Sequence, residues 1–324
     1  MFKNRAVGAW CFYDTGHCAF ATIVMAVVLP VYYQNVVAGG EPWALSSWGY
    51  ASSVALFLSA LLTPLAGTYV DGRPVKKKFL AAAAVLGIGA TAALAKSDAG
   101  TWLYTLTCMV LGTVGLSVAS VCYDSMLTHI VPPHEMDRVS TLGYGTGYLG
   151  AGILLALSMA LIASFGKNGV KMSFLAVALW WTAATAALAL WVPEPSVERK
   201  AEGGLKETLR TLARSWQELK LYPEAFRFMV AFWLYNDGIG TIIRMAAVFA
   251  AGMGISQNHI VGAMLVTQFV GVPFALIFAS LAEKIGSKRT VMISLSWYTL
   301  IALGAMFMTK NWHFWAMAIS VGMV

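Results

Sequence analysis

Seven residues of this chain set ionisable or hydrogen-bonding side chains in strongly apolar surroundings. They are Asp14 and His17 in the first apolar stretch, Asp124 in the fourth, and Tyr235, Asn236, Asp237 and Arg244 in the seventh. Insertion scales put Asp or Arg at a helix centre at about 2.5 to 3.5 kcal/mol each, so such groups face a bundle interior or a water-filled cavity. Of the 22 Lys and Arg, Arg244 alone sits well inside an apolar stretch. A guanidinium there can hold a carboxylate through two parallel hydrogen bonds. Asp237 and Arg244 are seven positions apart, so on a helix they share a face but stand about 10 Å apart along the axis. Helical side chains lean toward the N-terminus, which sends Arg244 toward Asp237. The pair is read as part of a substrate or coupling-proton site, or else as a structural ion pair. Asp14 and Asp124 are expected at similar depth, forming a proton relay with His17 or bonding to backbone and to Arg138.

The elements that position these groups are membrane helices. The chain is 59% hydrophobic and only 11% charged, with 12 Trp and a mean hydropathy of +0.69, far from the roughly 25% charge of a soluble domain. Windows of about 20 apolar residues fall at 8–33, 46–70, 79–95, 102–128, 140–164, 172–192, 225–251, 258–281 and 290–308. A tenth begins at Trp312 and has 13 residues through Val324, so the chain reads as C-terminally truncated. With the N-terminus inside, 17 Lys and Arg fall on cytoplasmic segments and 4 on the opposite loops, which fits the positive-inside rule. The net charge of +7 is mostly this topology signal and gives no reason to propose nucleic acid. Lys3 and Arg5 before an apolar core resemble a signal peptide. Asp14 and His17 interrupt that core, however, so a retained first helix is expected. Cys11, Cys18, Cys108 and Cys122 all lie in spans, as buried free thiols rather than a disulfide framework or metal site.

The only long polar stretch, 193–224, divides six spans from those that follow. Within it Leu205, Leu209, Leu212, Trp216 and Leu219 form an apolar stripe opposite Lys206, Arg210, Arg214 and Lys220, a helix expected at the cytoplasmic interface. The halves echo each other. Trp10–Gly16 opens span 1 and Trp233–Gly238 lies in span 7, while Asp71-Gly-Arg73-Pro-Val-Lys76 follows span 2 and Glu283-Lys-Ile-Gly-Ser-Lys288-Arg289 follows span 8. A six-span repeat is the architecture of major facilitator transporters. The expected fold is therefore all-α and polytopic: an N-terminal six-helix bundle over 1–192, a cytoplasmic linker over 193–224, and an incomplete C-terminal bundle over 225–324. On this plan the intramembrane charges fall on spans 1, 4 and 7, which line the central cavity in that superfamily.

Local motifs narrow the resemblance. Ala9-Trp-Cys-Phe-Tyr-Asp14-Thr-Gly-His-Cys, Pro132-Pro-His-Glu-Met-Asp-Arg-Val-Ser140 with Gly143-Tyr-Gly-Thr-Gly147-Tyr-Leu-Gly150, Val192-Pro-Glu-Pro195, and Tyr235-Asn-Asp-Gly-Ile-Gly-Thr-Ile-Ile-Arg-Met245 resemble the vacuole-effluxer-like branch, which holds fungal autophagy-related amino-acid effluxers and many bacterial members. The resemblance covers essentially the whole chain. It implies secondary transport of amino acids or related small metabolites; separately, protons are a candidate coupling ion, and a monomer in a bacterial inner membrane is expected. The chain departs from the pattern in lacking spans 11 and 12 with most of 10, and in Pro74, where a Gly usually precedes the basic pair. The alternative reading is a truncated membrane scaffold that transports nothing.

Other chemistries find no support. Gly145-Thr-Gly147-Tyr-Leu-Gly150 matches a dinucleotide fingerprint but follows no strand, and reads as a close-packing face. His134-Glu135 lacks the second His of a zinc helix, with Arg138 in its place, and neither a Walker lysine nor a GxSxG elbow occurs. No enzyme, metal or cofactor is expected, and the energy must come from gradients. Asp71, Arg73 and Lys76, with Glu283, Lys288 and Arg289, are expected to form charge pairs that latch the cytoplasmic side, with Arg138 as a further gate residue. Thr267 and Gln268 are expected to bond across helices.

Overall fold

The computed structural model describes residues 5–71, 73–195 and 205–323, except the side chains at 134, 137, 205, 206, 257, 275, 276, 279, 283 and 287. In lipid each backbone N–H and C=O must be satisfied within its own segment, and the apolar runs accordingly fold as helices. These are α1 (Arg5–Val37), α2 (Trp43–Asp71), α3 (Lys76–Ala93), α4 (Trp102–Ile130), α5 (Met136–Phe165) and α6 (Lys167–Trp191). Beyond the linker come α7 (Leu205–Leu219), α8 (Pro223–Gly252), α9 (Gln257–Ile285), α10 (Ser287–Ala305) and α11 (Asn311–Gly322). Every expected span coincides with a helix, and the first six are long and apolar enough to cross a membrane. Residues 196–204 of the expected linker lie outside the described residues.

The N-terminal half is organised around α1, whose flanks α5 and α6 approach closely because glycines face it. A side chain at Gly150 would strike Thr15, one at Gly143 would stand 2.7 Å from Trp10, and one at Gly16 would stand 2.9 Å from the Trp181 backbone. Gly145 has no neighbour within 4 Å. The glycine run is therefore a packing face for α1 at Gly143, Gly147 and Gly150 only. Between α3 and α4 the approach is backbone to backbone: a Cβ at Gly115 would lie 2.7 Å from both the Ala83 oxygen and the Gly87 nitrogen. Neither neighbour is a flexible side-chain end that can step aside. Gly115→Val is expected to separate α3 from α4 and cost about 3 kcal/mol or more, since overpacking typically costs 1–3 kcal/mol even where a core can relax. A melting curve in detergent checks this; a variant melting within 2–3 °C of the parent would show that the helices can part cheaply.

α1 is not a uniform helix. Phe20–Val27 and Tyr33–Val37 widen to π-helix around a short α-helical segment, Val28–Tyr32. These stretches meet the C-terminal half on the side away from the linker, here called the far side. There Val31 is buried with Ala247, Ala250 and Ile255. The Trp48 indole N–H donates to the Arg244 carbonyl at 3.4 Å, and Gln268 Nε2 donates to Thr22 Oγ1 at 3.1 Å. Thr267 Oγ1 lies 2.9 Å from the Ala318 oxygen. Both residues thus bond across helices, as their place in an apolar span suggested. Gly152 faces Phe269 and Gln268, again in the far halves of α5 and α9. The halves therefore close on each other at the far side. Toward the linker side α8 buries nothing before Ala247.

The amphipathic helix forms where the stripe predicts. Among the described side chains of α7, Thr208 is buried, at 4% exposure, while Leu209 and Trp216 stay 48% and 43% exposed. Trp216 stacks on Trp233 of α8, ring centres 6.4 Å apart. A cavity of about 350 Å³ between α7 and the end of α2 is lined by Thr68, Asp71, Arg73, Glu207 and Thr211.

Candidate functional site

On α1, Asp14, His17 and Cys18 lie at i, i+3 and i+4, the spacing that places side chains on one face. Asp14 is buried, at 7% exposure. His17 Nδ1 stands 3.6 Å from Asp14 Oδ1, and the Cys18 thiol lies 3.8 Å from Asp14 Oδ2. Gly147 of α5 makes room for this carboxylate, since a Cβ there would sit 2.7 Å from Asp14 Oδ2. The other imidazole nitrogen, His17 Nε2, is 2.8 Å from Ser120 Oγ on α4, and the Ser120 oxygen lies 2.7 Å from the Leu116 carbonyl. An imidazolium would satisfy every one of these contacts at once, with Nε2–H donating to Ser120, the hydroxyl to Leu116, and Nδ1–H directed at Asp14. A neutral imidazole has a single N–H and must give one contact up.

α4 adds Tyr123 and Asp124. Trp10 anchors this helix to α1, stacking on Tyr123 at 4.4 Å between ring centres and donating from its indole to the Tyr123 carbonyl at 3.1 Å. The Tyr123 and Tyr13 rings are 4.8 Å apart, and both flank His17. The Tyr123 hydroxyl is buried without a hydrogen-bond partner and lies within electrostatic range of Asp14 and Asp124. Asp124 in turn is within range of His17 and Asp14 and is exposed. Asp14 and Asp124 thus share one cluster, as their placement on spans 1 and 4 predicts. No contact of either with Arg138 occurs among the described residues; Arg138 is exposed.

On α8 the residues at 237, 240, 244, 248 and 251 follow one another along a single face. At its far end this face is buried, through Val248 and Ala251, against the N-terminal half. Asp237 and Arg244 occupy the same face nearer the linker. Counted back from the Val31–Ala250 contact, Asp237 stands within about one turn of the level of His17. The Arg244 guanidinium folds back over Gly240, where a Cβ would lie 3.1 Å from Nη1, so it reaches toward Asp237 as the helix geometry predicts. No ion pair within 4 Å joins Arg244 to any described residue, Asp237 included. Asn236 and Asp237 are exposed. Tyr235 is turned about half a turn from Asp237 and packs edge-on against Phe232, ring centres 5.3 Å apart; the structure does not bring it to the pair.

The gate residues divide. Lys76, itself buried, pairs with Asp71 at 3.4 Å. Arg73 donates to the Tyr69 carbonyl at 2.6 Å and lies over that ring. Lys288 and Arg289 are exposed, without an ion pair among the described residues, and the Glu283 side chain lies outside them. Sequence reasoning missed Glu194, which receives the Lys77 backbone N–H at 3.1 Å and ties the end of α6 to the start of α3. It also missed Ser120 and Tyr123. The only signal for those two was their spacing from Asp124, which gains meaning once α4 is laid against α1.

The helical fold matches solved transporters of the major facilitator superfamily. The inward-open xylose transporter XylE of E. coli superposes with a TM-score of 0.61 at 16% identity, covering 98% of this chain and 78% of that one; its 6-bromo-6-deoxy-D-glucose complex gives 0.63 at 13% identity. The chain thus has the major facilitator fold. The sequence profile described as "Vacuole effluxer Atg22 like" matches residues 43–136 and 133–324, and the chain belongs to that family, a family of transporters rather than enzymes. An uncharacterized MFS-type transporter of Bacillus subtilis, YxiO, is 29% identical over 98% of this chain and 77% of its own length. Autophagy-related protein 22-2 of Aspergillus clavatus is 24% identical over 61% of this chain. The chain spans only 38% of that fungal relative's length.

Proposed function

We propose that the chain serves secondary transport of small solutes bearing ammonium and carboxylate groups, amino acids or related metabolites, by alternating access. The reading rests on two unlike sets of side chains, Arg244 with Asp237 on α8 and Asp14, His17 and Asp124 on α1 and α4, which helix register sets at similar depth. A carboxylate suits the guanidinium, which has no ion-pair partner among the described residues, and an ammonium suits the other set. The His17–Asp14–Ser120 chain supports a coupling proton, because adding one proton completes its contacts. The distribution of Lys and Arg supports a cytoplasmic N-terminus and linker in a bacterial inner membrane. The family description, vacuole effluxer, supports efflux as the direction.

Counterflow of a labelled amino-acid panel into proteoliposomes, run at two pH gradients, tests the proposal. Flux of at least one amino acid, stimulated by an acid gradient, is the expected result. Absence of counterflow across the panel would overturn the substrate class, and flux indifferent to the gradient would overturn proton coupling.

A further inference from the structure

The helix between the halves, α7, divides its circumference by chemistry. Thr208, Thr211 and Ser215 follow at i, i+3 and i+7, along one side of a helix, and line the cavity against Thr68, Asp71 and Arg73 at the end of α2. This is the side that α7 turns to the protein, with Thr208 buried. Leu209 and Trp216 stand about 100° or more round the helix from it, and both are exposed. Arg210 and Lys220 lie roughly opposite the hydroxyl side, and Arg214 about a quarter turn from it; all three are exposed. The acids Glu207 and Glu218 fall together on the strip between Arg214 and the hydroxyl side, away from Leu209 and Trp216. The chain leaving the helix extends the apolar patch, with Leu221 and Tyr222 exposed.

Depth and charge together select what this patch meets. α2 is long and apolar enough to cross a membrane, and α7 rests against its linker-side end while Trp216 stacks on Trp233 of α8. That is the level of lipid headgroups, where Trp and Tyr concentrate and where an amphipathic helix with bases beside its apolar face lies. The bases are available to a ligand. Arg214 and Lys220 make no ion pair among the described residues, and Arg210 meets Glu207 at 3.3 Å in an exposed pair, a kind worth little in water. A second copy of the chain is the wrong occupant. In a two-fold contact the same patch meets itself, which brings the bases of one copy against those of the other. Anionic headgroups complement the same charges instead.

We propose that α7 and the turn through Tyr222 form a docking surface for anionic phospholipid headgroups. Leu209 and Trp216 enter the boundary of the acyl chains, and Arg210 and Lys220 take headgroup phosphates beside them. Arg214 adds its charge from within a Debye length, while the hydroxyl side stays on α2. Such docking needs only that these helices span a bilayer, and it stands whether or not an amino acid is carried.

A spin label at Leu209→Cys, or in a second variant at Leu221→Cys, tests this in the full chain once the four native cysteines are replaced. The protein is reconstituted into vesicles of phosphatidylcholine alone or mixed with phosphatidylglycerol. Collision of the label with oxygen, which concentrates among acyl chains, is compared with collision with a water-soluble nickel chelate. Each base near an anionic surface shifts the balance of docked and released helix about fivefold, so the oxygen-to-chelate ratio is expected to rise with phosphatidylglycerol. It is expected to return to the phosphatidylcholine value in the triple variant Arg210→Gln, Arg214→Gln, Lys220→Gln, and to fall at high salt. A label at Glu41→Cys, on the far side, is expected to be indifferent to the lipid. A label shielded from both collision partners in both vesicles would mean that protein covers the patch, and one open to the chelate in both would mean a solvated helix; either overturns the proposal. So would oxygen access equal in the two vesicles, or a response to phosphatidylglycerol that the triple variant keeps.

Discussion

Arg244→Ala is expected to lower counterflow by about 30- to 1,000-fold while leaving the melting temperature within a few degrees of the parent. The flux estimate follows from losing a charge-assisted, bidentate contact from a partly buried guanidinium, worth about 2–4 kcal/mol, at tenfold per 1.36 kcal/mol. The stability estimate follows from the surroundings. The guanidinium makes no ion pair with a described residue, and the contact that ties position 244 to α2 is accepted by its backbone carbonyl, from the Trp48 indole. Alanine keeps that carbonyl. A structural ion pair with Asp237 makes the opposite prediction, because removing one partner of a buried pair strands the other and destabilises by about 3–5 kcal/mol. Arg244→Lys separates charge from geometry. Lysine keeps the charge but not the planar fork, so flux is expected to recover only part of the loss. Counterflow and thermal melting on the same preparations check all of this, and a large fall in melting temperature with unchanged flux per folded molecule would sink the site assignment.

The sequence carried the helices almost completely and the contacts between them only in part. Spans were legible because lipid imposes a single solution on the backbone: a run of apolar residues near 20 long must be helical. The grouping of Asp14, His17 and Asp124 was legible by position on the repeat, and the backward lean of Arg244 by helix geometry. Ser120 and Glu194 were not legible. Each matters through a partner more than 100 positions away, His17 for the one and the Lys77 N–H for the other, and no local period encodes such a pairing. Tyr235 shows the converse. It adjoins Asn236 and Asp237 in sequence, but a helix turns about 100° per residue, so adjacency in the chain put it on another face, against Phe232. The partner of the α7 stripe was not legible either. An apolar stripe states which side chains avoid water but not whether protein or lipid receives them, and here the residue buried against the protein was Thr208.

The second large effect concerns the far-side closure, and it is expected without any solute present. Trp48 is fully buried, packs 5.6 Å from the Tyr33 ring, and makes one of two side-chain hydrogen bonds described between the halves at that end. Gln268 makes the other, to Thr22 on the π-helical stretch of α1, while its own carbonyl oxygen is buried without a partner. Removing a large buried aromatic costs about 3–5 kcal/mol, and a bonded amide about 1 kcal/mol. The part of this that belongs to the interface between halves shifts the closed-to-open ratio, at tenfold per 1.4 kcal/mol. The Tyr33 contact belongs to the N-terminal half and is kept in either state. Trp48→Phe, which loses the N–H but keeps a ring against Tyr33, is therefore expected to shift the ratio about tenfold or less, and Trp48→Ala with Gln268→Leu by 100-fold or more. Spin labels at Glu41→Cys and Ser256→Cys, on the exposed far-side loops of the two halves, report the separation once the four native cysteines are replaced. The parent is expected to show one short distance, and the double variant a second, longer population. A single short distance in both would mean that the Val31 cluster alone seals the far side, and that Trp48 serves only the packing of its own half.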